Sequence, residues 1–164
     1  MLFTPVIFPF AMLIRPATAE SDLDSARVLF REYQAELNVD LCFQSFEEEL
    51  AGLPGKYAPP EGRLLLAFEG TQPVGCVALR PHSETRCEMK RLYVRPAARG
   101  TGLGRELAIR IVDEARQIGY REVVLDTLDR LRPALKLYRS MGFRDVPAYY
   151  HNPLAGVVFL KVDL

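Results

Sequence analysis

Arg99-Gly100-Thr101-Gly102-Leu103-Gly104-Arg105 is the stretch whose residue types and spacing point most directly to chemistry. Three glycines within five residues let a backbone approach a ligand closely and turn its amide N–H groups inward. The stretch follows a β-like run, Glu88-Met89-Lys90-Arg91-Leu92-Tyr93-Val94, and opens onto a helical pattern. A helix start adds N–H donors with no internal acceptor and the positive end of a dipole, which together suit a phosphate or pyrophosphate. Arg99 and Arg105 add positive charge on either side. The pattern is not a P-loop, which needs Gly-x-x-x-x-Gly-Lys-Ser/Thr. Nor is it a dinucleotide fingerprint, because the sixth position counted from Gly100 is Arg105. A tight loop whose glycines only serve a turn is the plain alternative.

The elements that must position this loop alternate between strands and helices. Residues 13–16 read as a short strand ended by Pro16, and Ser21 with Asp24 reads as the cap of a helix carrying Leu23, Ala26, Leu29, Phe30, Tyr33 and Leu37. A shorter helix is expected over 46–50. Residues 63–68 and 74–79 are two β-runs joined by a somewhat long turn over 69–73. Residues 86–94 form the next strand, where the imperfect alternation around Lys90-Arg91-Leu92 suits a bulge. A long helix with Leu103, Leu107, Ile111, Ala115 and Ile118 on one stripe stops at Gly119. Residues 121–126 are a buried strand, and Pro133 opens a helix with Leu135, Leu137, Tyr138 and Met141. Residues 143–146 and 156–162 close the chain as strands around Tyr149-Tyr150-His151-Asn152-Pro153. The order β-α-α-β-β-β-α-β-α-β-β predicts an α/β (α+β) fold, a mixed central sheet of about seven strands with helices on its faces.

Composition narrows the partners. The 164 residues fit one domain, 49% hydrophobic and 26% charged. Lys plus Arg and Asp plus Glu both total 21, so the formal net charge is zero and no overall basic field argues for nucleic acid. Cys42, Cys76 and Cys87 fit neither a disulfide framework nor a zinc pattern, and their apolar contexts predict buried thiols in a reduced, cytoplasmic compartment. Two histidines, His82 and His151, make no metal cluster, and no metal is expected. Residues 1–11 are an apolar extension without the positive start of a signal peptide, too short and proline-broken to span a membrane. The domain is therefore expected over 12–164, with either Met12 or Met1 as the working start and no membrane partner.

Arg-Gly-x-Gly-x-Gly preceded by Leu-Tyr-Val-Arg-Pro resembles the acetyl-CoA-binding signature of the GNAT N-acetyltransferase superfamily, Gln/Arg-x-x-Gly-x-Gly/Ala, with Arg99, Gly102 and Gly104 in its defining places. Residues 132–143, ending Leu-Tyr-Arg-Ser-Met-Gly-Phe, resemble its second diagnostic segment, and the likeness spans Met12 to the C-terminus. It implies acetyl-CoA as co-substrate and a primary amine of a small molecule or peptide as acceptor. A CoA-binding sensor without turnover is the alternative, and a homodimer is compatible with it. Cofactor contacts are then expected from Leu92, Tyr93, Val94, Arg99, Gly100, Thr101, Gly102, Leu103, Gly104 and Arg105. Glu88 lies six residues before Val94, about 20 Å away at roughly 3.3 Å per residue, near the thioester end of such an arm. By resemblance it is the general base, acting directly or through water; otherwise it is an ordinary strand glutamate. Tyr138 takes the place of the helical tyrosine that protonates the leaving thiolate, with a core aromatic as the alternative. Arg80, Asp126, Tyr149 and Tyr150 are expected on the acceptor side. Relatives often carry Asn seven residues before this tyrosine; here the residue is Leu131.

Overall fold

A computed structural model of the chain describes residues 12–164, so the segment expected as an extension at 1–11 lies outside the described residues. The strands are β1 (Met12–Pro16), β2 (Arg63–Glu69), β3 (Gln72–Pro81), β4 (Arg86–Val94), β5 (Glu122–Leu128), β6 (Arg144–Asp145) and β7 (Val157–Asp163). The helices are α1 (Glu20–Leu37), α2 (Phe46–Ala51), α3 (Leu103–Ile118) and α4 (Arg132–Ser140). The strands form one seven-stranded sheet in the order β1-β2-β3-β4-β5-β7-β6. Among the described residues, only the β4–β5 pair runs parallel. The mixed sheet with helices on its faces is as expected.

Apolar spacing decides which helix covers which face. The α3 stripe of Leu103, Leu107, Ile111 and Ala115 is buried with Val77, Leu79, Cys87 and Met89 of β3 and β4. On the other face, Leu23, Ala26, Leu29 and Phe30 of α1 pack with Leu64, Leu66, Cys76 and Ala78. Each buried Leu, Ile or Phe contributes roughly 1.5–3 kcal/mol of transfer free energy.

Three local expectations are corrected. The β2–β3 turn is only Gly70-Thr71, because Glu69 pairs with Gln72 and Gly70 adopts φ +61°, which lets the chain reverse within two residues. The start of α1 is held by Asp22 rather than by Ser21 and Asp24. The Asp22 carboxylate accepts from the Thr18 and Ala19 N–H groups at 2.9 and 3.1 Å and from Arg15 at 2.9 Å. The Arg15 hydrogen bonds hold its pKa well below the usual carboxylate range. Cys42 is exposed, at the start of a 3₁₀ turn Cys42–Gln44, whereas Cys76 and Cys87 are buried free thiols.

The feature that makes room for a site is the short seam between β4 and β5. They pair only at Arg86↔Glu122, Cys87↔Val123 and Glu88↔Val124, whereas β5 pairs with β7 along its whole length. Beyond Glu88 the strand bulges as expected: Arg91 takes φ +60° and the register with β3 shifts between Cys76 and Ala78. The bulge is braced from α2. Arg91 donates to the Glu49 carboxylate at 2.9 and 3.1 Å, and its guanidinium stands 5.1 Å from the centre of the Phe46 ring. β4 and β5 therefore separate in the middle of the sheet.

Candidate active site

A long groove follows the open edge of β4. The Arg95 N–H donates to Val74 O at 2.8 Å, so Tyr93 and Arg95 turn their backbone groups to β3, and Leu92 and Val94 turn theirs to the opening. Leu92, Tyr93, Val94, Arg99, Gly100, Gly102, Leu103 and Gly104 line the groove, closed by Tyr33 of α1 and by Leu131, Leu137 and Tyr138 of the α4 segment. Gly100 and Gly102 adopt φ +79° and +83°, a region that favours glycine. Among the described residues no hydrogen bond takes the N–H of Gly102, Leu103, Gly104 or Arg105, the first donors of α3. That is the arrangement an anion needs.

Three expected contacts differ. Thr101 and Arg105 do not line the groove. The Thr101 hydroxyl donates to Ala98 O at 2.8 Å and closes the preceding turn, and Arg105 donates to Ser140 Oγ at 2.8 Å. Arg99 lines the groove but bonds to Val94 O at 2.9 Å and to the Glu36 carboxylate at 2.6 Å, so its charge is already balanced. Leu131, at the position where the resemblance leads one to expect Asn, adds apolar wall.

Gly102→Val is expected to weaken the binding of a pyrophosphate-bearing ligand at least tenfold, because it forces a β-branched residue to positive φ and crowds the free N–H groups. Gly104 has ordinary backbone, and a Cβ there would stand 3.8 Å from Val94 Cγ2, so Gly104→Val should fold normally and still lose affinity. Calorimetry giving wild-type affinity for both variants would remove the loop from the site.

The groove leads into a cavity between β4 and β5, lined by Lys90, Leu92, Asp126, Thr127, Leu131, Tyr138 and Asn152. Tyr138 borders both spaces. Its ring packs on Phe143 with centroids 5.7 Å apart, yet among the described residues its hydroxyl makes no hydrogen bond. Burial pushes its pKa up, which keeps the phenol protonated.

Next to this cavity lies a more polar pocket that brings together Arg80, Glu88, Tyr149 and Tyr150, with His82, Lys90 and Gln44. Glu88 is 2% exposed. Its Oε1 accepts from Arg80 Nε at 2.8 Å and stands 2.7 Å from Arg80 Nη2 in an ion pair, and its Oε2 accepts from the Tyr149 hydroxyl at 2.5 Å. Burial raises the Glu88 pKa, but nearby Lys90 and Arg80 and the bond from Tyr149 outweigh it, leaving the carboxyl below its ordinary value. Asp126 accepts from Tyr150 and, at 2.9 Å, from Asn152 Nδ2. The Tyr149 and Tyr150 rings meet Phe159 edge to face, with centroids 5.2 and 5.6 Å away.

Reasoning from sequence missed Lys90, Gln44 and Asn152. Lys90 had a signal, since it lies two residues after Glu88 and so on the same strand face. Gln44 and Asn152 had none, because only the fold brings their loops to the site.

The comparisons with known proteins agree with this fold. The model of the acetyltransferase (GNAT) family matches residues 24–143. An uncharacterized N-acetyltransferase of Schizosaccharomyces pombe is 43% identical over 159 residues, covering 95% of this chain and 97% of that protein. Among solved structures, an acetyltransferase of Streptococcus agalactiae superposes with a TM-score of 0.77 at 22% identity, covering 93% of this chain and 98% of the other. A Salmonella typhimurium protein solved with its cofactor acetyl-CoA gives 0.70 at 22% identity, covering 93% and 94%. The family match and the curated relatives define an acyl-CoA-dependent acetyltransferase. The chain belongs to the acetyltransferase (GNAT) family. Among the described residues no helix is long and apolar enough to cross a membrane, and no cluster of three or more His, Cys, Asp or Glu could hold a metal.

Proposed function

We propose that the protein transfers the acetyl group of acetyl-CoA to a primary amine of a small molecule or peptide. The observation that carries this reading is the continuity of the spaces. The groove over the free N–H groups of 102–105 runs along the β4 edge to Tyr138 and opens beside Lys90 into the pocket that holds Glu88. Acetyl-CoA supplies the activated acetyl group. The N–H groups at the start of α3 hold its pyrophosphate, and the outward backbone groups of Leu92 and the Val94 N–H pair with the amides of its arm. Glu88 accepts the acceptor's proton through Tyr149: the phenol oxygen takes the proton from the ammonium while its own passes to Oε2. The free amine nitrogen then bonds to the acetyl carbon, the carbon–sulfur bond breaks, the Tyr138 hydroxyl donates its proton to the departing sulfur, and the proton that the acylated nitrogen sheds restores the Tyr138 phenol. Free thiols at all three cysteines are in keeping with a reducing, cytoplasmic setting.

Thiol release from acetyl-CoA, followed over an amine panel, tests the reading. Release that depends on the amine supports it, and tight binding without release would instead make the protein a CoA sensor. Tyr138→Phe should lower turnover by about ten- to a hundredfold. Its melting temperature should hardly move, because no hydrogen bond is lost. A thioester of lower leaving-group pKa should shrink the defect, and an equal defect with both donors would leave Tyr138 as a positioning residue.

A further inference from the structure

The pocket beside Glu88 contains more cationic donors than its own residues accept. Lys90 Nζ has three N–H donors in a side chain only 4% exposed. One goes to Gln44 Oε1 at 3.2 Å, and the nearest carboxylate oxygen, Asp126 Oδ1, is 3.9 Å away, beyond hydrogen-bond distance. Gln44 is itself held by donating to the Tyr150 hydroxyl at 3.3 Å, so it fixes the ammonium rather than following it. Arg80 donates its Nε to Glu88 and holds Nη2 in an ion pair with the same oxygen, and among the described residues its Nη1 makes no hydrogen bond. Two cations thus face one pocket with donors to spare, Lys90 buried with one bond made and Arg80 still 30% exposed.

From these donors we infer that Lys90 and Arg80 form a carboxylate subsite, so that the acceptor is an amine that itself bears a carboxylate, in its simplest form an α-amino acid. The inference rests on the acetyl-transfer reading and specifies its substrate. Charge balance supports it. Arg80 and Lys90 are offset by Glu88 and Asp126, so a zwitterion enters with no net charge, its ammonium toward the Glu88–Tyr149 pair and its carboxylate toward Lys90. A simple monoamine would bring one uncompensated positive charge and leave the Lys90 donors unmet.

The test uses the full chain with acetyl-CoA and the standard α-amino acids, each beside its amide, with thiol release as the readout. For the best acceptor, kcat/KM for the acid should exceed that for its amide at least tenfold, chiefly through KM. The amide's amine is less basic and more of it is neutral, so a preference for the acid runs against intrinsic reactivity. Lys90→Met keeps the apolar stem and removes the charge, and should bring the acid-to-amide ratio close to one. The ratio is an internal control, because a folding defect or the loss of a general base lowers both numbers together. If this variant does not fold, the wild-type ratio decides. Equal kcat/KM for acid and amide would overturn the subsite and leave acetyl transfer standing, as would a ratio unchanged in Lys90→Met for the role of Lys90. No release with any amine, while calorimetry shows acetyl-CoA bound, would overturn acetyl transfer to amines and the subsite with it.

Discussion

Glu88→Gln is expected to lower turnover by about 10²-fold or more at neutral pH, with acetyl-CoA affinity held. The substitution keeps the shape of the side chain but gives Tyr149 no carboxylate to receive its proton. Affinity should hold because Glu88 does not line the cofactor groove. The pH profile carries further information. The Glu88 pKa lies below its ordinary value, so the carboxylate is ionised through the neutral range. A rise of wild-type activity with pH therefore reports the acceptor amine losing its proton, and the deficit of the variant should shrink at high pH, where the amine arrives neutral. Tyr149→Phe should show the same pH-dependent deficit. A Glu88→Gln enzyme with wild-type kcat at every pH would end its role as base.

The second large effect is on stability. Glu49→Ala removes the partner of Arg91, whose side chain is 2% exposed, and also the acceptor of the Tyr57 hydroxyl at 2.9 Å. Leaving one charge of a buried pair without its counterpart costs about 3–5 kcal/mol. For a chain of this size that is a drop in melting temperature on the order of 10 °C. Replacing both partners with apolar residues, Glu49→Leu with Arg91→Met, should recover much of the loss, because no unpaired charge remains. A thermal scan in which Glu49→Ala melts with the wild type would show that the pair does not brace the bulge. In the single variant acetyl-CoA affinity should fall as well, since the bulge at Arg91 is what turns the β4 edge outward.

The parts legible in the sequence are those set by neighbours along the chain. The glycine loop was legible because positive φ and an open helix start are demands that Gly100 and Gly102 meet by themselves. The bulge was legible because Lys90-Arg91-Leu92 breaks the two-residue alternation. The seven strands and the stripes on α1 and α3 follow from periodicity. What stayed hidden depends on distant chain segments. Arg99 reads as a free cation until Glu36, 63 residues away, is brought against it. Gln44 lies 46 residues from Lys90, in a turn with no motif, and Asn152 reads as part of a loop. Cys42 has apolar neighbours in sequence but stands on the outer side of a 3₁₀ turn, so local composition misjudged its exposure.

The short β4–β5 seam also bears on how the protein keeps other strands away. An unpaired strand edge is a template on which a foreign chain can add by backbone hydrogen bonding. The outer edges of this sheet are blunted. β6 is two charged residues long, with Arg144 bonded to Asp163 at 3.0 Å, and β1 ends at Pro16. The long unpaired edge, β4 beyond Glu88, faces inward between β5 and the walls supplied by Tyr33, Leu37, Ala134 and Tyr138. A rigid strand from another molecule cannot lie down there, whereas a slender, flexible amide chain can be threaded in. The protein can therefore keep open backbone ready for a ligand without inviting aggregation along it.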